Sequence, residues 1–224
     1  SSEERIGSFL GKNPSARDFF KIASKGSIRK TTDGKTFFDN SKKYLTEALN
    51  ASLQKLGVDN IELYYVHRRD QSIPIEEVSE TLSSFVKEGK INQFGYSEIA
   101  PTSLDKASEI HPVAAVQSEY SLSTRYPELG LVQKTKALKA SLVAFSPVGR
   151  SLLTDSPHTH EKVDDMPFLK QNPRFIEPNL SKNIQATSSF RKLAADWKMT
   201  AGGLSIAWLL NKDTHILPIP GTRS

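Results

Sequence analysis

The ten residues IELYYVHRRD, positions 61–70, decide how the fold is read. Seven residues rich in β-branched and aromatic types end on His67, and the charged Arg68, Arg69 and Asp70 follow at once. A largely apolar run of this length, bounded by polar residues, reads as a strand buried on both faces, of the kind found in parallel sheets covered by helices. Enzymes of that architecture keep their chemistry at the C-terminal ends of the strands. His67 is therefore a candidate catalytic residue.

Upstream of this strand, residues 41–56 repeat leucine at 45, 49, 53 and 56, which predicts an amphipathic helix with one core face, and Gly57 is placed to close it in a left-handed cap. Residues 18–24 (DFFKIAS) read as a short buried strand ending at Lys25 and Gly26, and a charged loop over 29–34 follows. Residues 2–10 read as a helix with Glu3 and Glu4 in its first turn and Ile6, Phe9 and Leu10 on one face. Downstream, Pro74 opens a helix that runs through Val86 and ends at Gly89. Strands are predicted over 93–97, 113–120, 142–146 and 216–220, and helices over 101–110, 129–140, 182–197 and 200–210, the last with Thr200 as its N-cap. Residues 150–180 hold several prolines and little periodicity and read as a long loop of functional type.

Strand and helix alternate throughout, with no shift of composition and no internal linker, so residues 1–224 are expected to form one domain. The alternation implies a parallel sheet built from right-handed crossovers. Six strands are predicted, whereas the common closed barrel needs eight. No G-x-G-x-x-G or Walker sequence argues for an open doubly wound sheet. Pattern alone leaves closure open.

Composition excludes several classes. Hydrophobic residues at 37% and charged residues at 25% suit an ordinary soluble domain. Without cysteine there is no disulfide framework and no thiolate metal site, which agrees with a cytoplasmic setting. No apolar run approaches the roughly 20 residues of a membrane span, and no signal peptide is visible. The net charge of +5 reads as a solvated basic surface or as attraction for an anionic ligand. Nucleic acid is not expected, because the basic residues are scattered and not interleaved with aromatics. His111, His158, His160 and His215 lack metal-ligand spacing, Trp197 and Trp208 are expected on helical core faces, and Glu76, Glu77 and Glu80 on a solvated first turn. Asp70 is expected to pair with Arg68 or Arg69, or to line a pocket entrance.

The predicted strands finish at Lys25, at His67, at Ser97 and Glu98, near Gln117, at Ser146 and Pro147, and at Gly221, Thr222 and Arg223. In a parallel sheet these ends lie on one face, so polar groups from successive strands are expected to converge there.

The same residues carry a resemblance. The chain resembles the aldo-keto reductases through IASKG (22–26), LGVDNIELYYVHRRD (56–70), IPIEEVSETLSSFVKEGKINQFGYSE (73–98), AVQSEYSL (115–122), FSPVGRSLLT (145–154), NPRF (172–175) and ILPIPGTR (216–223). The nearest branch in character is that of aldehyde and pyridoxal reductases. The resemblance implies a (β/α)8 TIM barrel, of which this chain would hold about six strand–helix units. It implies NADPH as cofactor and an aldehyde or ketone as substrate. Lys25 and His67 match two members of the family's catalytic tetrad. Ser97 and Gln117 match the side chains that bind the nicotinamide carboxamide. Glu98 stands where many members have asparagine, and Phe145 where a tyrosine often stacks on the ring. Ser146, Pro147, Val148, Gly149 and Arg150 match the loop whose amides wrap the pyrophosphate. Gly221, Thr222 and Arg223 match the start of the segment for the 2′-phosphate, with Arg223 the expected partner of that phosphate.

The other two tetrad members, an aspartate and a tyrosine, would precede Ser1, and the closing helices would follow Ser224. The chain is thus expected to be a fragment and, by itself, inactive. The alternative to a reductase is an NADPH-binding sensing or regulatory subunit with little catalysis.

Overall fold

The computed structural model describes residues 1–31 and 33–221. The chain divides into two compact units, Ser1–Ser118 with Gly130–Leu142, and Glu119–Leu129 with Val143–Ser224.

The first unit contains α1 (Ser2–Lys12), β1 (Ala23–Gly26), β2 (Ile28–Lys30), β3 (Thr36–Phe38), α2 (Lys42–Leu56), β4 (Ile61–Val66), α3 (Ile75–Lys87), β5 (Ile91–Ser97), α4 (Pro101–Ile110) and α5 (Leu131–Ala137), and the starts of β6 (Ala115–Glu119) and β7 (Ser141–Phe145). Strands β1, β4, β5 and β6 lie side by side in that order, every pair parallel. Ser141 N–H donates to the Ala114 carbonyl (2.9 Å) just before β6 begins. The strand–helix alternation and the parallel pairing are those the sequence predicts.

Local chemistry explains the elements. The Ser41 hydroxyl accepts from Tyr44 N–H at the start of α2, and Gly57, at φ 66° and ψ 39°, ends it. Leu45, Leu49 and Leu56 are fully buried, as the leucine spacing requires, whereas Leu53, expected on the same face, is only half-buried. Helix α1 differs from expectation: Leu10 is buried, but Ile6 and Phe9 are exposed. Its inner face instead runs along Glu3, Gly7 and Leu10. A Cβ at Gly7 would collide with the Lys55 carbonyl, so glycine lets α1 lie directly against α2. Glu3 on the same face meets Ser24 and Lys55.

Two other upstream expectations are corrected. The stretch 18–24 is not a strand: Pro14–Asp18 forms a 3₁₀ turn, Phe19 and Phe20 are 81% and 60% exposed, and only Ala23–Gly26 pairs. The N–H groups of Phe19 and Phe20 close onto the Ala16 carbonyl and so cannot enter a ladder. The expected charged loop at 29–34 begins instead as the antiparallel hairpin β2–β3. Arg29 stabilises it by bonding Asp39 (2.8 Å) while lying over the rings of Phe37 and Tyr44. Its charges masked the strand signal.

The second unit contains the ends of β6 and β7, joined by Tyr120 N–H to the Phe145 carbonyl (3.3 Å), and β8 (Ile216–Ile219) beside β7. Helices α6 (His160–Asp164), α7 (Pro167–Lys170), α8 (Asn179–Ala186), α9 (Ser188–Asp196) and α10 (Ala201–Lys212) complete it. The expected long loop is therefore an ordered subassembly. Leu152, Val163, Leu169, Phe175 and Leu180 form its core, with Met166 and Ile184 packed against them. Its helical pieces are at most five residues long before α8, too short for a 3.6-residue period to show. The single helix expected over 182–197 is broken at Thr187, whose hydroxyl folds back to the Asn183 carbonyl (2.9 Å). Thr200 caps α10 as expected, accepting from Gly203 N–H (3.1 Å). Trp197 is 60% exposed and not on a core face. Trp208 is half-buried, edge-on to Tyr120 with Lys212 over its ring at 4.5 Å.

Candidate active site

Parallel register sets Lys25 beside Tyr65, Tyr65 beside Gly95, and Ser97 beside Gln117. Side chains alternate along a strand, so Lys25, Tyr65, His67, Ser97 and Gln117 share one face of the first unit's sheet. Tyr64, Phe94 and Tyr96 occupy the other face, fully buried; there the Tyr96 hydroxyl bonds Ser79 of α3 at 2.7 Å. Gly95 is needed between them. A Cβ there would collide with the Ala115 carbonyl and lie within 2.9 Å of the Tyr65 ring.

The Lys25 ammonium donates to Gln117 Oε1 and lies 5.9 Å from the Tyr65 ring centroid. Gln117 also hydrogen-bonds the Tyr65 hydroxyl. Arg68 folds back over the strand ends: its Nη1 donates to the His67 carbonyl (2.7 Å) and to Ser97 Oγ (3.0 Å). The turn after β4 is fixed by buried polar groups. His67 N–H donates to the Gly26 carbonyl (2.8 Å), Arg68 N–H donates to Ser27 Oγ (2.9 Å), and the Arg68 carbonyl accepts from Ser27 and Asn40. The Asp70 carboxylate accepts from the backbone and hydroxyl of Ser72, closing the next turn.

Burial, reinforced by Lys25 and Arg68, pushes the His67 imidazole down to about 4, so it is neutral at physiological pH. Lys25 keeps much of its stem in solvent, yet partial burial of the ammonium, and then Arg68, hold it below the usual lysine range. Burial pushes Tyr65 up to about 12, only partly offset by Gln117. Glu98 has φ 57° and an exposed side chain whose carboxylate accepts from Ser118 Oγ (3.2 Å); its N–H donates to the Gln117 carbonyl (2.9 Å).

In the second unit, Phe145, Ser146, Pro147, Val148, Arg150 and Gly221 line one cavity of about 860 Å³. Gly149 is buried behind its wall, where a Cβ would come within 2.7 Å of Ser123 Oγ. Thr222 and Arg223 lie outside the described residues. The loop after β7 holds an unusual run of positive φ: Ser146 52°, Gly149 59°, Arg150 54° and Ser151 91°. Such turns gather N–H groups into anion-binding concavities. His158 and Lys162 add basic groups to the lining, and Phe168 an apolar face.

Several of these residues escape a reading by strand ends. Tyr65 is legible in retrospect, two residues before His67 and so on its face. Arg68 reads as an ordinary loop charge. Glu119 and Arg174, which bond each other at 2.7 Å, lie 55 positions apart, and no local pattern links them. Among the described residues no group of three or more acidic or histidine side chains could hold a metal ion, and no helix is long and apolar enough to cross a membrane.

Comparison with known proteins agrees on one relationship. The aldo/keto reductase family model matches residues 1–224. A Schizosaccharomyces pombe aldo-keto reductase, yakc, whose name carries NADP(+), is 34% identical over 229 residues, covering 100% of this chain and 66% of the relative. A probable aldo-keto reductase of Glycine max is 35% identical over 222 residues, covering 99% of this chain and 63% of its own length. The chain thus spans about two thirds of the length of these relatives. Among solved structures, a glycerol dehydrogenase from Gluconobacter oxydans is similar at a TM-score of 0.85 and 26% identity, over 97% of this chain and 67% of that one. Matched along its whole length by the family model and sharing its fold with a barrel dehydrogenase, the chain belongs to the aldo/keto reductase family.

Proposed function

We propose that the protein reduces an aldehyde or ketone to an alcohol with NADPH. The observation that carries this reading is the grouping of Lys25, His67, Ser97 and Gln117 on one sheet face, with the imidazole held neutral beside two cations.

Bound NADPH supplies the hydride. The chain's own residues bind, orient and polarise. As hydride reaches the carbonyl carbon, negative charge grows on the oxygen, and a neutral His67 N–H there stabilises it without surrendering its proton. Lys25 adds positive charge on the same face. By the family resemblance it lowers the pKa of the tyrosine that delivers the proton. Ser97 can still donate its hydroxyl hydrogen while accepting from Arg68, and so suits a carboxamide oxygen. Gln117, now engaged with Lys25 and Tyr65, would exchange one of those bonds for the carboxamide.

The second unit's cavity, taken by itself, suits an anionic group such as a nucleotide diphosphate. The Nε of Arg150 is buried there without a partner, a cost that an incoming phosphate oxygen would remove. The name of the S. pombe relative, which carries NADP(+), supports NADPH in particular.

The test uses the protein as its gene encodes it, titrated with NADPH by fluorescence and then assayed for NADPH oxidation with a panel of aldehydes. Binding followed by turnover supports the reductase. Binding without turnover favours a sensing or regulatory subunit, and no binding rejects both.

A further inference from the structure

Glu119 ends β6 in the second unit with its side chain only 14% exposed. It is shared by two arginines. Arg150 Nη2 donates to Oε2 at 2.9 Å, and Arg174 Nη1 donates to Oε1 at 2.7 Å. Thr124 supports the second contact, accepting from Arg174 at 3.0 Å. Burial would raise the Glu119 carboxyl, but Arg174 and Arg150 outweigh it and hold it below the usual carboxylate range. Glu119 is therefore a fixed anion at physiological pH.

Arg150 is constrained on every side. Its backbone is left-handed, at φ 54° and ψ 44°. The centre of its guanidinium lies 4.8 Å from the Phe168 ring centroid and 5.9 Å from that of Phe145. A guanidinium donates only in its own plane, so its edges decide what it binds. Glu119 takes one hydrogen of Nη2. Nε is buried without a partner, in a residue that lines the cavity. The plane is thus set by Glu119 and the two rings, and Nε–H stands unpartnered among the donors that Glu119 does not use.

We propose that the Arg150 side chain binds the diphosphate of the nucleotide through Nε–H, and that Glu119 is the positioning residue that aims it. Arg174 holds the far oxygen of Glu119 so that the carboxylate cannot rotate. This rests on the nucleotide lying against the loop that contains Arg150, and it adds a side-chain contact to the backbone cradle implied by the family resemblance.

The test measures NADPH affinity, with inorganic pyrophosphate as a competing probe, for the gene-encoded wild type, Arg150→Met, Arg150→Lys, Glu119→Gln and the double variant Glu119→Gln/Arg150→Met. Arg150→Met is expected to weaken NADPH and pyrophosphate by about tenfold or more, the scale of a charge-assisted hydrogen bond. Arg150→Lys is expected to behave nearly as badly, because an ammonium facing Glu119 has no second in-plane donor. Glu119→Gln is expected to weaken both ligands, but to add less than about twofold once Arg150 is methionine, since coupled residues are non-additive. A merely structural role would lower the melting temperature and reduce affinity equally in both backgrounds, and that result overturns the positioning role. Should Glu119→Gln fail to fold, unweakened binding by Arg150→Met or Arg150→Lys overturns the proposal by itself. Wild-type binding with unaffected variants rejects this proposal alone; a wild type that binds no NADPH rejects the nucleotide reading and this proposal with it.

Discussion

The Nη1 of Arg68 donates to the hydroxyl of Ser97 at 3.0 Å, tying the end of one parallel strand to the end of the next. The same nitrogen bonds the His67 carbonyl, so one guanidinium sets the spacing of two candidate site residues and adds positive charge beside the imidazole. Removing it should act on His67 without touching the ring. In Arg68→Ala the His67 pKa is expected to rise modestly from about 4, with burial and Lys25 still holding it down. An NMR titration of the ring protons measures this. An unmoved pKa would mean that Arg68 plays no electrostatic part.

The depressed His67 pKa also has a stability consequence. The unfolded chain binds a proton at His67 below about 6.5, whereas the folded chain resists it until about 4. More protons are bound unfolded across that window, so the contribution of His67 is fully present above 6.5 and is lost as pH falls toward 4. His67→Asn, which cannot titrate, should flatten the pH dependence of urea unfolding between those values. A wild-type-like slope in the variant would assign the dependence to other groups.

Gly95 is a narrow point of the first unit's sheet. Gly95→Ala forces a Cβ against the Ala115 carbonyl and the Tyr65 ring. Since the nearest backbone belongs to a paired strand, it cannot yield cheaply. A loss of about 1–3 kcal/mol is expected in chemical denaturation, the range for overpacked cores. Neutral behaviour would show that the strands separate more easily than their register implies.

Arg223 lies outside the described residues, and the expectation for it rests on the family resemblance. Arg223→Ala should weaken NADPH far more than NADH, because only NADPH carries the 2′-phosphate that an arginine fork would hold. Equal weakening in fluorescence titrations would reject that role.

The first unit was largely legible because each clue there is local. A leucine every third or fourth residue marks α2, Pro101 begins α4, and the apolar run before His67 marks β4. Lys25, His67, Ser97 and Gln117 stood out as candidates because each lies at or near a strand end, and the parallel register sets them on one face. Elsewhere the signal lies in tertiary contacts. The hairpin at 28–38 carries its charges on solvated strands, and the turns over 150–180 owe their order to Leu152, Val163, Leu169, Phe175 and Leu180, which meet only in the folded chain. Residue types do not disclose that Lys25 spends its ammonium on Gln117, or that Glu119 bridges two arginines; both depend on register and on long-range approach.

The central claim is that His67, kept neutral, stabilises the oxygen of a carbonyl being reduced. It is tested most directly by single-turnover oxidation of saturating NADPH with an aldehyde, in wild type and His67→Ala of the gene-encoded protein, with NADPH affinity measured alongside. The account predicts a hydride-transfer rate lower by about a hundredfold or more with NADPH affinity essentially unchanged. A His67→Ala enzyme that transfers hydride at the wild-type rate would contradict it.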